Sequence, residues 1–254
     1  MTDPTERFSS RVSHYAQYRP SYPREVLATL RNECRLTPGS LIADIGSGTG
    51  FLSKLFLENG NRVFAVEPNP GMRDAGEALL KTYPGFQSVG GRAETTGLPG
   101  DSIDFVIAGQ AFHWFDLDAC RIEFSRILKP NGTVMIVWNE RDTGSTPFLV
   151  AYEKLLARHV PDYPEMNYRQ VYADSVREFF GPGSCRSRTF RYHQELDLEG
   201  TKGRLLSSSY TPYVGHSHFV PMMECLTQIF NRHQTGGRVS FEYTTRMYYG
   251  QLPQ

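Results

Sequence analysis

The sequence predicts an α/β fold: a Rossmann-like, mostly parallel sheet with helices on both faces, in a chain of 254 residues. Three observations predict it. Short apolar runs alternate with segments of helical period from Leu41 to Trp138, the rhythm of parallel strands joined by right-handed crossovers. The run Leu41–Ile45 leads straight into Gly46-Ser47-Gly48-Thr49-Gly50, after which Phe51-Leu52 and Leu55-Phe56 fall at helical spacing. A carboxylate, Glu67, stands at the end of the next apolar run, about twenty residues beyond the glycines.

The first 24 residues are polar and aromatic, and Arg19-Pro20-Ser21-Tyr22-Pro23 cannot lie inside a helix because two prolines remove donors. Tyr15, Tyr18 and Arg19 in this arm have two readings, a surface-packed segment or a lid over a ligand. Pro23 opens a helix through Val26, Leu27, Leu30 and Cys34. A helix over roughly 49–59 closes at Asn59-Gly60, and Arg62–Val66 is the second strand. Pro68-Asn69-Pro70-Gly71 breaks the chain before a helix from Met72 to Tyr83. Phe86–Gly90 is a weaker third strand, leading to Ala93 and Glu94.

Ser102–Ala108 is the fourth strand, and Gln110-Ala111-Phe112-His113-Trp114-Phe115 follows it. Asp116 caps a helix whose apolar face is Leu117, Cys120, Phe124, Ile127 and Leu128. Pro130-Asn131-Gly132 stops that helix, and Gly132–Trp138 is the fifth strand. Residues 147–160 read as helix, 161–184 as polar loop, and 184–198 as an alternating strand. Two helices flank Tyr210–Tyr213, and Arg238–Tyr249 alternates as a last strand. The whole reads as a single domain, 1–254, with an N-terminal arm (1–24) and insertions within about 140–237 capping the ligand end.

The glycine turn carries chemistry as well as geometry. A dinucleotide fingerprint needs glycine at its sixth position, where this chain has Phe51. Asp44, two places before the first glycine, would repel a pyrophosphate and attract a cation. S-adenosylmethionine carries an ammonium, a sulfonium and no phosphate. Glu67 at the tip of the neighbouring strand suits both ribose hydroxyls. Ala93 and Glu94 suit an adenine edge and amino group, although Glu94 equally reads as an acid at a helix N-terminus.

Tyr18–Pro23, Asp44–Gly50, Val66-Glu67-Pro68-Asn69, Gly91–Glu94, Gln110–Phe115 and Leu128–Gly132 together resemble the class I S-adenosylmethionine-dependent methyltransferases. Within them the chain looks closest to the small-molecule group of the trans-aconitate methyltransferases. The resemblance implies a seven-stranded sheet of order 3-2-1-4-5-7-6 with the last strand antiparallel. It also implies S-adenosylmethionine as cofactor, leaving as S-adenosylhomocysteine. Carried over by position, Asp44, Gly46, Ser47 and Gly48 line the methionine end, Glu67 the ribose, and Ala93 with Glu94 the adenine, with Pro68 and Met72 as further cofactor-binding residues. Gln110 and Ala111 approach the methionine backbone, and Tyr15 or Arg19 its carboxylate.

The implied reaction is methyl transfer to a small-molecule acceptor, with oxygen (carboxylate or hydroxyl) favoured. The loop after the fourth strand lacks the Asn/Asp-Pro-Pro-aromatic pattern of amide and base-amine methyltransferases. His113 is the one candidate general base, or else a structural histidine. Phe112, Trp114, Trp138, Tyr210, Tyr213 and Tyr249 are candidates for an aromatic acceptor pocket, fewer than half of which should touch substrate. A non-catalytic module that binds the cofactor and a nicotinamide-dependent oxidoreductase are the alternatives.

Lys and Arg total 27 against 27 Asp and Glu, so no global field draws nucleic acid or an anionic membrane. No oxygen-ligand set suggests a metal. The four cysteines are far apart and read as free thiols in a reducing compartment. With no signal-type or membrane-spanning run, the expectation is a cytoplasmic monomer or weak homodimer.

Overall fold

The computed structural model describes residues 18–160, 163, 168–208 and 210–253. The seven strands are β1 (Leu41–Ile45), β2 (Arg62–Val66), β3 (Phe86–Val89), β4 (Ile103–Gly109), β5 (Leu128–Arg141), β6 (Arg186–Leu196) and β7 (Val239–Gly250). They form one sheet in the order β3-β2-β1-β4-β5-β7-β6. β7 is antiparallel to both neighbours, and the first five strands are parallel. The predicted topology is the observed one.

The described helices are α1 (Glu25–Cys34), α2 (Phe51–Glu58), α3 (Pro70–Leu80), α4 (Leu117–Ile127), α5 (Pro147–His159), α6 (Tyr168–Phe180), α7 (Leu198–Leu206) and α8 (Phe219–His233). None is long and apolar enough to cross a membrane. Strand alternation divides the core. Ile42, Phe105, Ile107, Met135 and Val137 face Val26 and Leu30 of α1 and Leu52 and Phe56 of α2. Ala43, Ile45, Val106, Val134 and Ile136 face Phe124 and Ile127 of α4 and Val176 and Phe179 of α6. A third cluster joins α5, α7 and α8 to Val239, Phe241 and Tyr243 at the start of β7.

Three elements differ from expectation. α3 begins at Pro70, because a proline in the first turn gives up an N–H that has no helical partner, while the Asn69 side chain accepts from the Met72 N–H at 2.9 Å. β5 begins at Leu128, which pairs with Ile103, and the register then shifts before Thr133 meets Phe105. Pro130-Asn131-Gly132 is thus absorbed as an irregularity inside the strand, with Asn131 at φ 66°. Residues 168–180, expected as polar loop, form α6, whose last turn buries Val176, Phe179 and Phe180.

Phe179 is the anchor of that unforeseen helix. Its ring meets Phe112 edge-on at 5.1 Å and Phe124 at 6.0 Å, and it is 1% exposed. Phe179→Ala should cost about 3–5 kcal/mol, the usual loss for emptying a buried aromatic site. The midpoint of chemical denaturation reads that loss directly.

Candidate functional site

The parallel strands end level with one another: Ile45 pairs with Val66, Val66 with Val89, and Gly109 with Val137. Beyond that edge the glycine turn folds back over β2, the N–H groups of Gly46 and Ser47 both donating to the Val66 carbonyl at 2.9 and 3.1 Å. Gly46 holds φ 66°, and a Cβ there would lie 2.6 Å from the Cβ of Ala111. The loop after β4 therefore closes directly against bare backbone, which only glycine permits. Gln110 itself sits at φ 60°. Its N–H donates to the Val137 carbonyl and its Nε2 to that of Asn139, both at 3.1 Å, the local compensation a strained non-glycine residue needs.

Asp44 is the most unusual group of this edge. It is 1% exposed. Oδ2 accepts from the Ser53 hydroxyl at 2.6 Å, while Oδ1 is buried and has no partner among the described residues. Burial pushes its pKa up to about 7; the Ser53 hydrogen bonds oppose the rise and the nearby Glu67 charge adds to it. A half-satisfied carboxylate out of water is costly. Its environment asks for a cation or a donor.

Glu67 is 8% exposed and clasps the same turn. Oε2 accepts from the Gly48 N–H at 2.9 Å and Oε1 from the Asn69 N–H at 2.8 Å. Burial raises its pKa, and those two backbone donors hold the rise in check. Each carboxylate oxygen keeps a further lone pair for an incoming hydroxyl.

A small cleft of about 40 Å³ lies here. It brings together six of the predicted residues, Arg19, Asp44, Gly46, Ser47, Gly48 and Gln110, and adds Tyr22, Thr49, Leu52 and Gly109. Thr49 Oγ1 is a second buried polar atom without a partner among the described residues. The sequence signal for Thr49 is its place inside the glycine motif and that for Tyr22 its place in Tyr18–Pro23; Ser53 gives none, because the fold alone carries it to Asp44. Two partnerless acceptors, a carboxylate among them, and no basic side chain from the glycine turn fit a cationic ligand carrying hydroxyls and do not fit a pyrophosphate.

Other predicted residues fall elsewhere. Ala93 is buried and Glu94 follows it in a tight turn closed by Arg92 and Thr95. Glu94 Oε1 accepts from the Asp116 N–H at 3.1 Å, next to the N-terminus of α4, so the reading as a helix-terminal acid holds in part, for a helix remote in sequence. Met72 is buried beside Asn69, and the Pro68 carbonyl accepts from Arg73 at 3.3 Å. Tyr15 lies outside the described residues.

The aromatic candidates need correction. Phe112 is a core residue, 2% exposed, packed on Phe115, Trp138 and Phe179; Trp138, half-buried, meets it edge-on. Tyr249 is fully buried, two residues past Met247 along β7 and opposite Met135, toward the far end of the sheet. Its hydroxyl donates to Glu33 at 2.6 Å. Alternation along β7 made it pocket-like, but the antiparallel direction carries it away from the cleft. Tyr213 is 67% exposed. Tyr210 stands at the edge of a buried group, its ring 5.6 Å from Tyr163, whose hydroxyl accepts from Arg141 at 3.0 Å.

His113 is exposed, with its ring 4.6 Å from Trp114. Neighbouring atoms nonetheless withdraw water from the imidazole and lower its pKa to about 4. The ring is neutral at pH 7.

Residues 43–136 match a family model described as a methyltransferase domain. An uncharacterized methyltransferase-like protein of Schizosaccharomyces pombe is 33% identical over 158 residues, 62% of this chain and 60% of that one. The malonyl-[acyl-carrier protein] O-methyltransferase of Serratia marcescens is 30% identical over 99 residues, 39% of this chain and 38% of its own length. The chain thus spans less than two thirds of these curated relatives. A solved structure of a putative type II methyltransferase from Anaeromyxobacter dehalogenans superposes with a TM-score of 0.69 at 24% identity, over 93% of this chain and all of that one, and shares the fold. In its sheet topology, its glycine turn and the methyltransferase domain matched over residues 43–136, the chain is similar to the class I S-adenosylmethionine-dependent methyltransferases.

Proposed function

We propose that this chain transfers a methyl group from S-adenosylmethionine to an oxygen, carboxylate or hydroxyl, of a small-molecule acceptor. The observation that carries the reading is the buried Asp44 carboxylate with Oδ1 unpartnered in the cleft, a seat for the cofactor's positive end. Glu67 takes the ribose hydroxyls, with Pro68 and Met72 beside it, and Ala93 and Glu94 lie toward the adenine. Gly46, Ser47, Gly48, Gln110 and Ala111 line the methionine portion, and Arg19 takes its carboxylate. The bound cofactor supplies a methyl group already activated by the sulfonium. What the chain adds is position and dryness: it aligns an acceptor oxygen and keeps water away.

Oxygen is favoured because the loop after β4 reads Gln110-Ala111-Phe112-His113 and because one relative is named as an O-methyltransferase. Balanced charge supports a small acceptor over nucleic acid or a membrane. On the same reading the chain is one domain, cytoplasmic, and a monomer or weak homodimer. The test is a screen of carboxylates, phenols and amines with S-adenosylmethionine, followed by mass spectrometry. A product heavier by one CH2, formed with stoichiometric S-adenosylhomocysteine from an oxygen acceptor, is expected. Cofactor that binds but is never converted across the panel would favour the non-catalytic module.

Two further results follow. A carboxylate acceptor has no proton to lose, and His113 is exposed; His113→Ala should keep turnover within about twofold at saturating acceptor, since general-base catalysis, worth far more when present, is absent. A hundredfold fall would restore the histidine as a base. The second concerns pH. A cationic ligand binds ionised Asp44, whose pKa of about 7 leaves it mostly protonated in acid. Affinity for S-adenosylmethionine should therefore rise roughly tenfold between about pH 5.5 and 7, by proton linkage at one site. Calorimetric titration at both values, with Asp44→Asn as the flat control, checks it.

A further inference from the structure

The cleft at the glycine turn has two lips. One is the arm, which contributes Arg19, Pro20 and Tyr22; the other is the end of β4, Gly109 and Gln110. They touch: a Cβ on Gly109 would lie 2.5 Å from the Tyr22 hydroxyl oxygen, so the arm rests on bare backbone. At about 40 Å³ the cleft between them admits a few water molecules, against about 300–1,000 Å³ for a small-molecule site. A ligand of nucleoside size passes only when the arm lifts from β4.

The contacts that hold the arm down lie on several elements. The Tyr18 ring packs on Gly203 of α7, and Arg19 donates through Nη2 to the Ser207 carbonyl at 2.9 Å; both grips are on the cap. Ser21 is held from two strands. Its N–H donates to the Tyr192 hydroxyl of β6, and its carbonyl accepts from Nδ2 of Asn139, near the end of β5, at 2.8 Å. Asn139 grips the other lip as well, its own carbonyl accepting from Gln110 Nε2 at 3.1 Å. Its Oδ1 accepts from the Thr245 hydroxyl of β7 at 2.6 Å, and Thr245 is fully buried. That bond pins the amide. Turned over, Asn139 would set its oxygen against the Ser21 carbonyl, two acceptors with no proton between them.

We infer that Asn139 is a positioning residue that latches the arm over the bound cofactor and so sets how fast that ligand leaves. Thr245 orients the latch, and the Asn139 carbonyl keeps Gln110 in place independently of the side chain. The inference rests on the methyl-transfer reading for the identity of the ligand, and on these hydrogen bonds for the latch.

The test is the dissociation rate of radiolabelled S-adenosylhomocysteine from the full chain, chased by excess unlabelled ligand. Asn139→Ala removes the bond to Ser21 and spares the carbonyl that holds Gln110. The ligand should then leave about tenfold faster, the scale of one hydrogen bond lost with a partner left unmet. Thr245→Val, close to the native shape, should speed release about threefold or more, and Thr245→Ser, which restores the hydroxyl, should return it to within about twofold of the native rate. Amide hydrogen exchange should rise in the peptide that contains Ser21 and stay level in β4, a pattern that general destabilisation does not give. Where Asn139→Ala melts too low for the chase, the two Thr245 variants carry the comparison. Release within about twofold of native in both Asn139→Ala and Thr245→Val, or Thr245→Ser releasing as fast as Thr245→Val, overturns the latch. A native chain that binds neither S-adenosylmethionine nor its product, while exchange at Ser21 still rises in Asn139→Ala, overturns the methyltransferase reading instead and leaves the latch on the arm standing.

Discussion

Asp44→Asn should bind S-adenosylmethionine about a hundredfold more weakly at pH 7.5, the scale of losing one partner from a buried charge pair, while melting no lower than the native chain. The two halves of that result come from the same atom. Oδ1 is buried without a partner, so the ionised group destabilises the empty fold and is repaid only by a cation. Asparagine retains an oxygen for the Ser53 hydroxyl, which now reaches Oδ2 at 2.6 Å, and drops the charge. The sign with pH is fixed by the raised pKa: from the ordinary 3.8 to about 7 in the fold. The stability Asp44 contributes is fully present below about pH 4 and is lost as pH rises through 7. Denaturation curves across that window should slope for the native chain and lose this component in Asp44→Asn. A variant that binds the cofactor normally would remove Asp44 from the site.

Glu67→Gln should cost both stability and affinity, unlike the change at Asp44. Glu67 holds the Gly48 and Asn69 N–H groups, one on each oxygen. Glutamine offers one acceptor and turns an NH2 toward the other donor, leaving a buried N–H unmet at about 1–3 kcal/mol. The glycine turn, tethered to β2 through this side chain, loosens as well. With the charged acceptor for the ribose gone, affinity for S-adenosylmethionine should fall about a hundredfold, since hydrogen bonds to charged groups contribute about 1.5–3 kcal/mol each. Chemical denaturation and titration together measure both. Unchanged stability would mean that the two backbone bonds do not hold the turn.

The parallel half of the sheet was legible because its strands are short, apolar and punctuated by Gly, Pro and Asn, with a helical period between them. The antiparallel end was legible from alternation at 184–198 and 238–249. α6 was not: Ala173, Val176, Phe179 and Phe180 fall at helical spacing in an otherwise polar stretch, and the partners of that stripe, Phe112 and Phe124, come from distant elements. β5 hid its beginning behind Pro130-Asn131-Gly132, residues that ordinarily end an element and here sit where the register shifts. Within the site, Asp44, the glycines and Gln110 could be read because backbone geometry and ligand charge constrain local sequence. Ser53 reaches Asp44 only through the fold. Aromatic spacing misled at Phe112 and Tyr249, since period alone does not say which face or which end of a sheet a ring will occupy.

The central claim is that the lone buried carboxylate at the end of β1 is the seat of a cationic sulfur cofactor. A crystal structure of the chain with S-adenosylmethionine tests it most directly. The account predicts the ligand beyond the glycine turn, its amino-acid end within hydrogen-bonding reach of Asp44 or its immediate neighbours and its ribose on Glu67. A ligand seated elsewhere, or one that leaves both acids untouched, would contradict it.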